Sequence, residues 1–164
     1  MLAEANVLLI RHAEKPVRGK GLSPMGEARA EGYAAYFPNL PLARPSYDHL
    51  FAAKDSHASH RPKLTLKPLS HRIGVEIEMP YADKEDDKFA KELLGPTDFS
   101  GQNIVVCWHH GKLLDLATRL LKGYKPPKEA DWPTPPWPGE VFGWLLWISY
   151  DKDENPTSDT RCYR

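Results

Sequence analysis

Asn6 to Ile10 (NVLLI), Asp48 to Ala53 (DHLFAA) and Asn103 to Trp108 (NIVVCW) are short, strongly apolar runs bounded by polar residues. Apolar runs of this length read as strands covered on both faces, the pattern of a parallel sheet. Each hands the chain to a polar segment: RHAE at 11–14, KDSHASHRP at 54–62 and HHG at 109–111.

Between the runs the period turns helical. Ser23 stands as a cap with Pro24 at the first helical position, and Met25, Ala28, Gly32, Ala35 and Tyr36 predict a helix ending near Phe37, before Pro38. Lys63 to Leu69 is compatible with a helix, against which Pro68 argues. Val75, Ile77 and Met79 alternate with Glu76 and Glu78, as in a short, half-exposed strand. Asp83 to Leu94 reads as a surface helix with Phe89, Ala90, Leu93 and Leu94 on its apolar side, and Leu113, Leu116, Ala117 and Leu120 place another helix on the sheet. Residues 125–139 hold six prolines and two tryptophans and predict an irregular but ordered loop. Val141 to Tyr150 reads as a final strand, against which Trp132, Trp137, Trp144 and Trp147 are expected to pack. Strands alternating with helices predict an α/β layered sheet. The expected organisation is one domain over residues 1–150 and a polar, disordered tail over 151–164.

Charge changes the picture locally rather than globally. Lysine plus arginine (22) equals aspartate plus glutamate (22), so no net basic field points to nucleic acid. Yet Arg11, Lys15, Arg18 and Lys20 face one acid, Glu14, in their segment, and five basic residues from Lys54 to Arg72 face only Asp55. If these segments meet, they make a positive pocket for an anion. Two cysteines, Cys107 and Cys162, give no disulfide framework. No apolar stretch approaches the ~20 residues of a membrane span, and the expectation is a soluble, cytoplasmic protein.

Ligands of open α/β sheets bind beyond the carboxyl ends of the strands, where the three polar segments fall. His109 and His110 are adjacent, and successive side chains leave a strand on opposite faces, so only one is expected to point at a site shared with His12. His57 and His60 have an HxxH spacing, but no carboxylate or cysteine set at a recognised metal spacing accompanies them.

In combination and order these segments resemble the histidine phosphatase superfamily, in its phosphoglycerate-mutase-like branch. VLLIRHAEKP is similar to the family's strand followed by Arg-His-Gly-Glu, with Ala13 in place of the glycine. GLSPMGEARA resembles the pattern of its first helix, and SHRPKLTLKPL its Arg-x-x-x-Thr segment, placing Arg61 and Thr65. VVCWHHG resembles the second histidine motif, and WPGEVFGWLLWISY the last strand of short bacterial-type members. The resemblance spans about Asn6 to Tyr150. It implies a three-layer sandwich, a mostly parallel sheet with helices on both faces.

The resemblance also implies a metal-independent, cofactor-free phosphatase in which His12 is the nucleophile and forms a phosphohistidine. Arg11 and Arg61 would supply planar, permanently charged forks to phosphate oxygens, and His110, the residue before Gly111, would complete the cage. His109 is left as a neighbour of open role. The proton donor is drawn from the acids at 78–87, with Asp83 preferred over Glu78, Glu85, Asp86 and Asp87. Glu14, Lys15, Ser23, Ser59, His109 and Gly111 are the candidates for phosphate or substrate binding. The expected substrate is a phosphorylated small molecule or a phosphoprotein. The competing readings are a non-catalytic phosphate-binding module, a phosphoglycerate-mutase-type phosphotransferase, and a metal hydrolase using the His57/His60 and His109/His110 pairs.

Overall fold

A computed structural model describes residues 1–163. The three apolar runs form β1 (Asn6–Arg11), β2 (His49–Ala52) and, following the two-residue β3 (Ile77–Glu78), β4 (Asn103–Trp108). β5 (Trp144–Tyr150) and β6 (Pro156–Cys162) complete one six-stranded sheet in the order β3-β2-β4-β1-β5-β6. The first four strands of that order are mutually parallel; β5 runs antiparallel to β1 and β6 antiparallel to β5. The helices are α1 (Pro24–Tyr36), α2 (Arg61–Ile73), α3 (Asp86–Leu94) and α4 (His110–Leu120).

Side-chain alternation along β1 and β4 sorts the core into two layers. Val7, Leu9, Ile104, Val106 and Trp108 face α3 and α4, packing with Phe89, Leu93, Leu113 and Leu116. Leu8, Ile10, Val105 and Cys107 face α1 and α2, packing with Tyr33, Phe37, Leu66 and Leu69. The expected three-layer sandwich is thus present. Each central strand is buried on both faces, which explains its unbroken apolar sequence. Among the described residues no helix is long and apolar enough to cross a membrane.

Four details differ from the sequence reading. The helix around Pro68 is complete, running from Arg61 to Ile73. Pro68 removes only one backbone bond, and Gly74 closes the helix in the left-handed conformation (φ 71°). Asp83 to Glu85 form a 3₁₀ turn ahead of α3 rather than its first α-helical turn. The last apolar strand begins at Trp144, not Val141. Residues 156–162, expected to be part of a disordered tail, are β6. An edge strand exposed on one side needs backbone pairing more than apolar side chains: Pro156 and Ser158 are buried, Thr157 and Asp159 exposed, and Arg161 lies over the Trp147 ring at 4.7 Å.

Ser23 caps α1 by accepting from the Gly26 N–H at 3.1 Å, and its own N–H donates to the Glu14 carbonyl at 2.9 Å. The first turn of α1 therefore lies directly on the loop that follows β1. A Cβ at Gly26 would sit 2.3 Å from the Glu14 carbonyl oxygen, so only glycine allows this approach. Gly26→Ala is expected to cost about 2 kcal/mol of stability, in the range of overpacked cores, measured by chemical denaturation.

Candidate active site

The carboxyl ends of β1, β2 and β4 open onto a cavity of about 550 Å³. Its walls include Arg11 at the end of β1, His12 and Lys15 after it, Lys54 to Ser56, Ala58, Ser59 and Arg61 after β2, Ala82 to Lys84 before α3, and His109 to Gly111 at the start of α4. The two basic segments therefore do meet.

His12 is 3% exposed. Its Nδ1–H donates to the Ala13 carbonyl at 2.7 Å, leaving the Nε2 lone pair free. The loop is held in turn by Thr65, whose hydroxyl accepts from the Ala13 N–H and donates to the Arg61 carbonyl, both at 2.8 Å. The four-residue spacing of Arg61 and Thr65 thus ties the first turn of α2 to the residue after His12. Burial, then the nearby His109, Arg11 and Arg61, lower the His12 pKa to about 3, against an opposing hydrogen bond to Ala13. The imidazole is neutral at physiological pH.

Arg11 is 2% exposed and, among the described residues, forms no ion pair with a carboxylate. Its Nη1 donates to the carbonyls of Gly139 (2.7 Å) and Val141 (2.9 Å), while its Nε is buried with no partner. Arg61 repeats the pattern: Nη1 reaches the Gly19 carbonyl at 3.3 Å, and Nε is buried and unpartnered. Burial lowers both pKa values, that of Arg11 to about 10, and both guanidinia remain charged. Two cations with free donors in one cavity form a ready site for a tetrahedral oxyanion. His110 and Gly111, whose backbone N–H groups belong to the first turn of α4, line the same cavity.

Of the two adjacent histidines, His109 is the one in ring contact with His12, at 5.0 Å between centroids and near perpendicular. His110 also lines the cavity, so both members of the pair reach it. The expectation that only one could do so fails because the strand ends at Trp108: His109 continues its extended path as the cap of α4, and His110 is already helical. β1 and β4 pair in register from Asn6 and Asn103 to Arg11 and Trp108, which makes His12 and His109 the next aligned pair. Burial and then Arg61 lower the His109 pKa to about 4; burial and then Arg11 lower that of His110. The signal lay in the sequence itself, since NVLLIRH and NIVVCWH have the same length, the same first residue and the same last residue.

Asp83 lies in the cavity wall with Oδ1 buried and unpartnered, and burial followed by the neighbouring Asp86 raises its pKa. Ser59 is buried in the wall, where its hydroxyl accepts from the Arg61 N–H at 3.2 Å. Lys15 and Gly111 stand at the cavity as well. Two candidates do not. Both carboxylate oxygens of Glu14 are taken by Arg29, at 2.7 to 3.0 Å, and the Ser23 hydroxyl is spent on the α1 cap. Neither lines the cavity. His57 and His60 are exposed and do not line it either; among the described residues no group of three or more His, Cys, Asp or Glu is arranged to hold a metal.

No protein-family model matches the sequence, and no curated protein matches it. Solved structures do match in shape over nearly the whole chain. One is the protein histidine phosphatase SixA complexed with tungstate, with a TM-score of 0.63 at 13% identity, covering 96% of either chain. Another is phosphoglycerate mutase from Plasmodium falciparum, with a TM-score of 0.61 at 12% identity over 97% of this chain and 89% of the other. A third is a mycobacterial glucosyl-3-phosphoglycerate phosphatase in complex with VO3, with a TM-score of 0.56 at 12% identity over 96% and 98%. The chain has the phosphoglycerate-mutase-like fold these proteins share.

The buried histidines make stability depend on pH. His12 and His109 resist protonation when folded, so the unfolded chain binds more protons once pH falls below its ordinary histidine pKa of about 6.5. Their contribution is fully present above that value and is lost as pH falls toward about 4. The urea midpoint is expected to drop between pH of about 7.5 and about 5, and less so in the His12→Gln/His109→Gln double variant. A wild-type midpoint indifferent to this change would contradict the burial of two neutral imidazoles.

Proposed function

We propose that this chain is a histidine phosphatase superfamily enzyme, which hydrolyses a phosphomonoester or phosphorylated protein through a phosphohistidine on His12. The observation that carries the proposal is the neutral imidazole of His12, oriented by the Ala13 carbonyl, in a cavity where Arg11 and Arg61 keep unpartnered Nε–H groups. Phosphoryl transfer asks for an in-line nucleophile and fixed positive charge around the equatorial oxygens. These groups match that demand.

In the first step His12 Nε2 attacks phosphorus. The N–P bond forms, the bond to the leaving oxygen breaks, and the protonated Asp83 carboxyl supplies a proton to that oxygen. Its raised pKa and buried, unpartnered Oδ1 favour the protonated form. In the second step water attacks phosphorus, its proton passes to the Asp83 carboxylate, and the N–P bond breaks to release phosphate and free His12. His109 is proposed as the second cage histidine, on the strength of its ring contact with His12. His110 and the first turn of α4 then serve at the periphery of the phosphate. The substrate is bound by its phosphate first, and Lys15, Lys54 and Lys84 at the cavity wall favour an anionic remainder.

Three experiments test this reading. Wild-type protein is expected to hydrolyse an aryl phosphate and to trap an acid-labile phosphoenzyme. His12→Ala is expected to lose both while keeping its melting temperature within a few degrees; turnover in that variant would refute the nucleophile. A chelator-sensitive activity restored by zinc would favour the metal hydrolase instead. His109→Ala is expected to lose about 10²-fold or more in kcat, as for removal of a transition-state donor, and His110→Ala much less. The reverse order would return the cage role to His110.

A further inference from the structure

The guanidinium of Arg11 is shaped by groups that do not line the cavity. The strap from Pro138 to Val141 takes up its Nη1, and the Phe142 ring covers one face, 3.8 Å from the guanidinium carbon to the ring centroid. The same ring lies 6.3 Å from that of His12. With Nη1 spent, the edge that carries Nε–H and one Nη2–H is what remains for an oxyanion, and Nε has no partner among the described residues.

Phe142 is itself held from the far side of the sheet edge. Its carbonyl accepts from the Tyr33 hydroxyl at 3.2 Å. The next residue, Gly143, accepts from the Tyr163 N–H at 2.7 Å, and a Cβ at Gly143 would lie 2.1 Å from the Tyr163 carbonyl oxygen. Phe142 is therefore pinned by α1 on one side and by the residue just past β6 on the other.

We infer that Phe142 is a positioning residue that orients the free Nε–Nη2 edge of Arg11 toward the bound phosphoryl group. A cation over an aromatic face is attracted by the ring quadrupole, and the attraction strengthens when the pair is shielded from water. A ring held 3.8 Å from the guanidinium carbon also limits the planes in which the two free donors can point. Phe142 does not itself contact the space of the substrate. The inference rests on the reading of Arg11 as an oxyanion ligand.

The test compares wild type, Phe142→Leu and Phe142→Tyr by calorimetric binding of inorganic vanadate, thermal melting and aryl phosphate kinetics. Leucine keeps an apolar side chain and loses the ring face; tyrosine keeps the face. Phe142→Leu is expected to bind vanadate about five- to tenfold more weakly, with kcat reduced at least as much and melting little changed, while Phe142→Tyr restores both. Should Phe142→Leu fail to fold, Phe142→Met takes its place. Wild-type vanadate affinity in the leucine or methionine variant, or equal losses in the tyrosine variant, would overturn the inference while normal turnover left the proposed function standing. Weakened vanadate binding in a protein that turns over no phosphoester would uphold the inference and sink the phosphatase. No vanadate binding by wild type would overturn both.

Discussion

The in-register parallel pairing of β1 with β4 is the constraint on which the site depends. The register is set at the amino ends, where Asn6 Nδ2 donates to Asn103 Oδ1 at 2.9 Å, and is carried through five further residue pairs. Slipping one strand by one residue would turn its whole apolar set to the other face. It would also separate His12 from His109. The last bond of the ladder, from the His12 N–H to the Trp108 carbonyl at 3.0 Å, holds the two chains together at the point where their histidines emerge. Position is thus decided by core packing over six residues, and the polar groups at the end inherit it.

Against that placement stands the electrostatic cost of the cavity. Two imidazoles are kept neutral and two guanidinia have buried Nε–H groups without acceptors. Unpaired buried donors cost roughly 1–3 kcal/mol each. The fold tolerates this because each group is restrained by its other atoms: His12 by Ala13, Arg11 by the strap carbonyls, Arg61 by Gly19. A site so restrained needs little reorganisation when an anion enters, which is where preorganised charge gains its advantage over water. Glu14 belongs to the same logic. Lying two residues after His12, it is withdrawn from the cavity by Arg29, so that no carboxylate of the first motif stands beside Arg11 and His12 in the cavity.

Much of this was legible in the sequence, for identifiable reasons. Buried central strands must be apolar on both faces, so β1, β2 and β4 stood out, and Ser23-Pro24 announced α1. Contacts made by backbone carried no such mark. β6 is held by its ladder with β5, and the carbonyls of Gly139 and Val141 that seize Arg11 could have come from any residues. Glu14 and Ser23 neighbour the motifs that suggest a phosphate site, yet their side chains are committed to Arg29 and to a helix cap, which adjacency in sequence does not reveal.

The histidine pair shows the limit more sharply. Strand alternation does not govern residues that have left the strand, and both histidines line the cavity. The neighbouring glycine points to His110, whereas counting from the equivalent asparagines sets His109 level with His12, because parallel strands paired in register deliver equal positions to one place. Trp108, level with Arg11 in the ladder, is packed against Phe89 with rings 5.4 Å apart and nearly parallel, while the longer Arg11 side chain reaches the cavity. One residue earlier in each strand the side chains serve the sheet's other face; one residue later they meet in the cavity. The boundary between core and cavity therefore falls within one residue on the two paired strands, at Arg11 on β1 and just past Trp108 on β4.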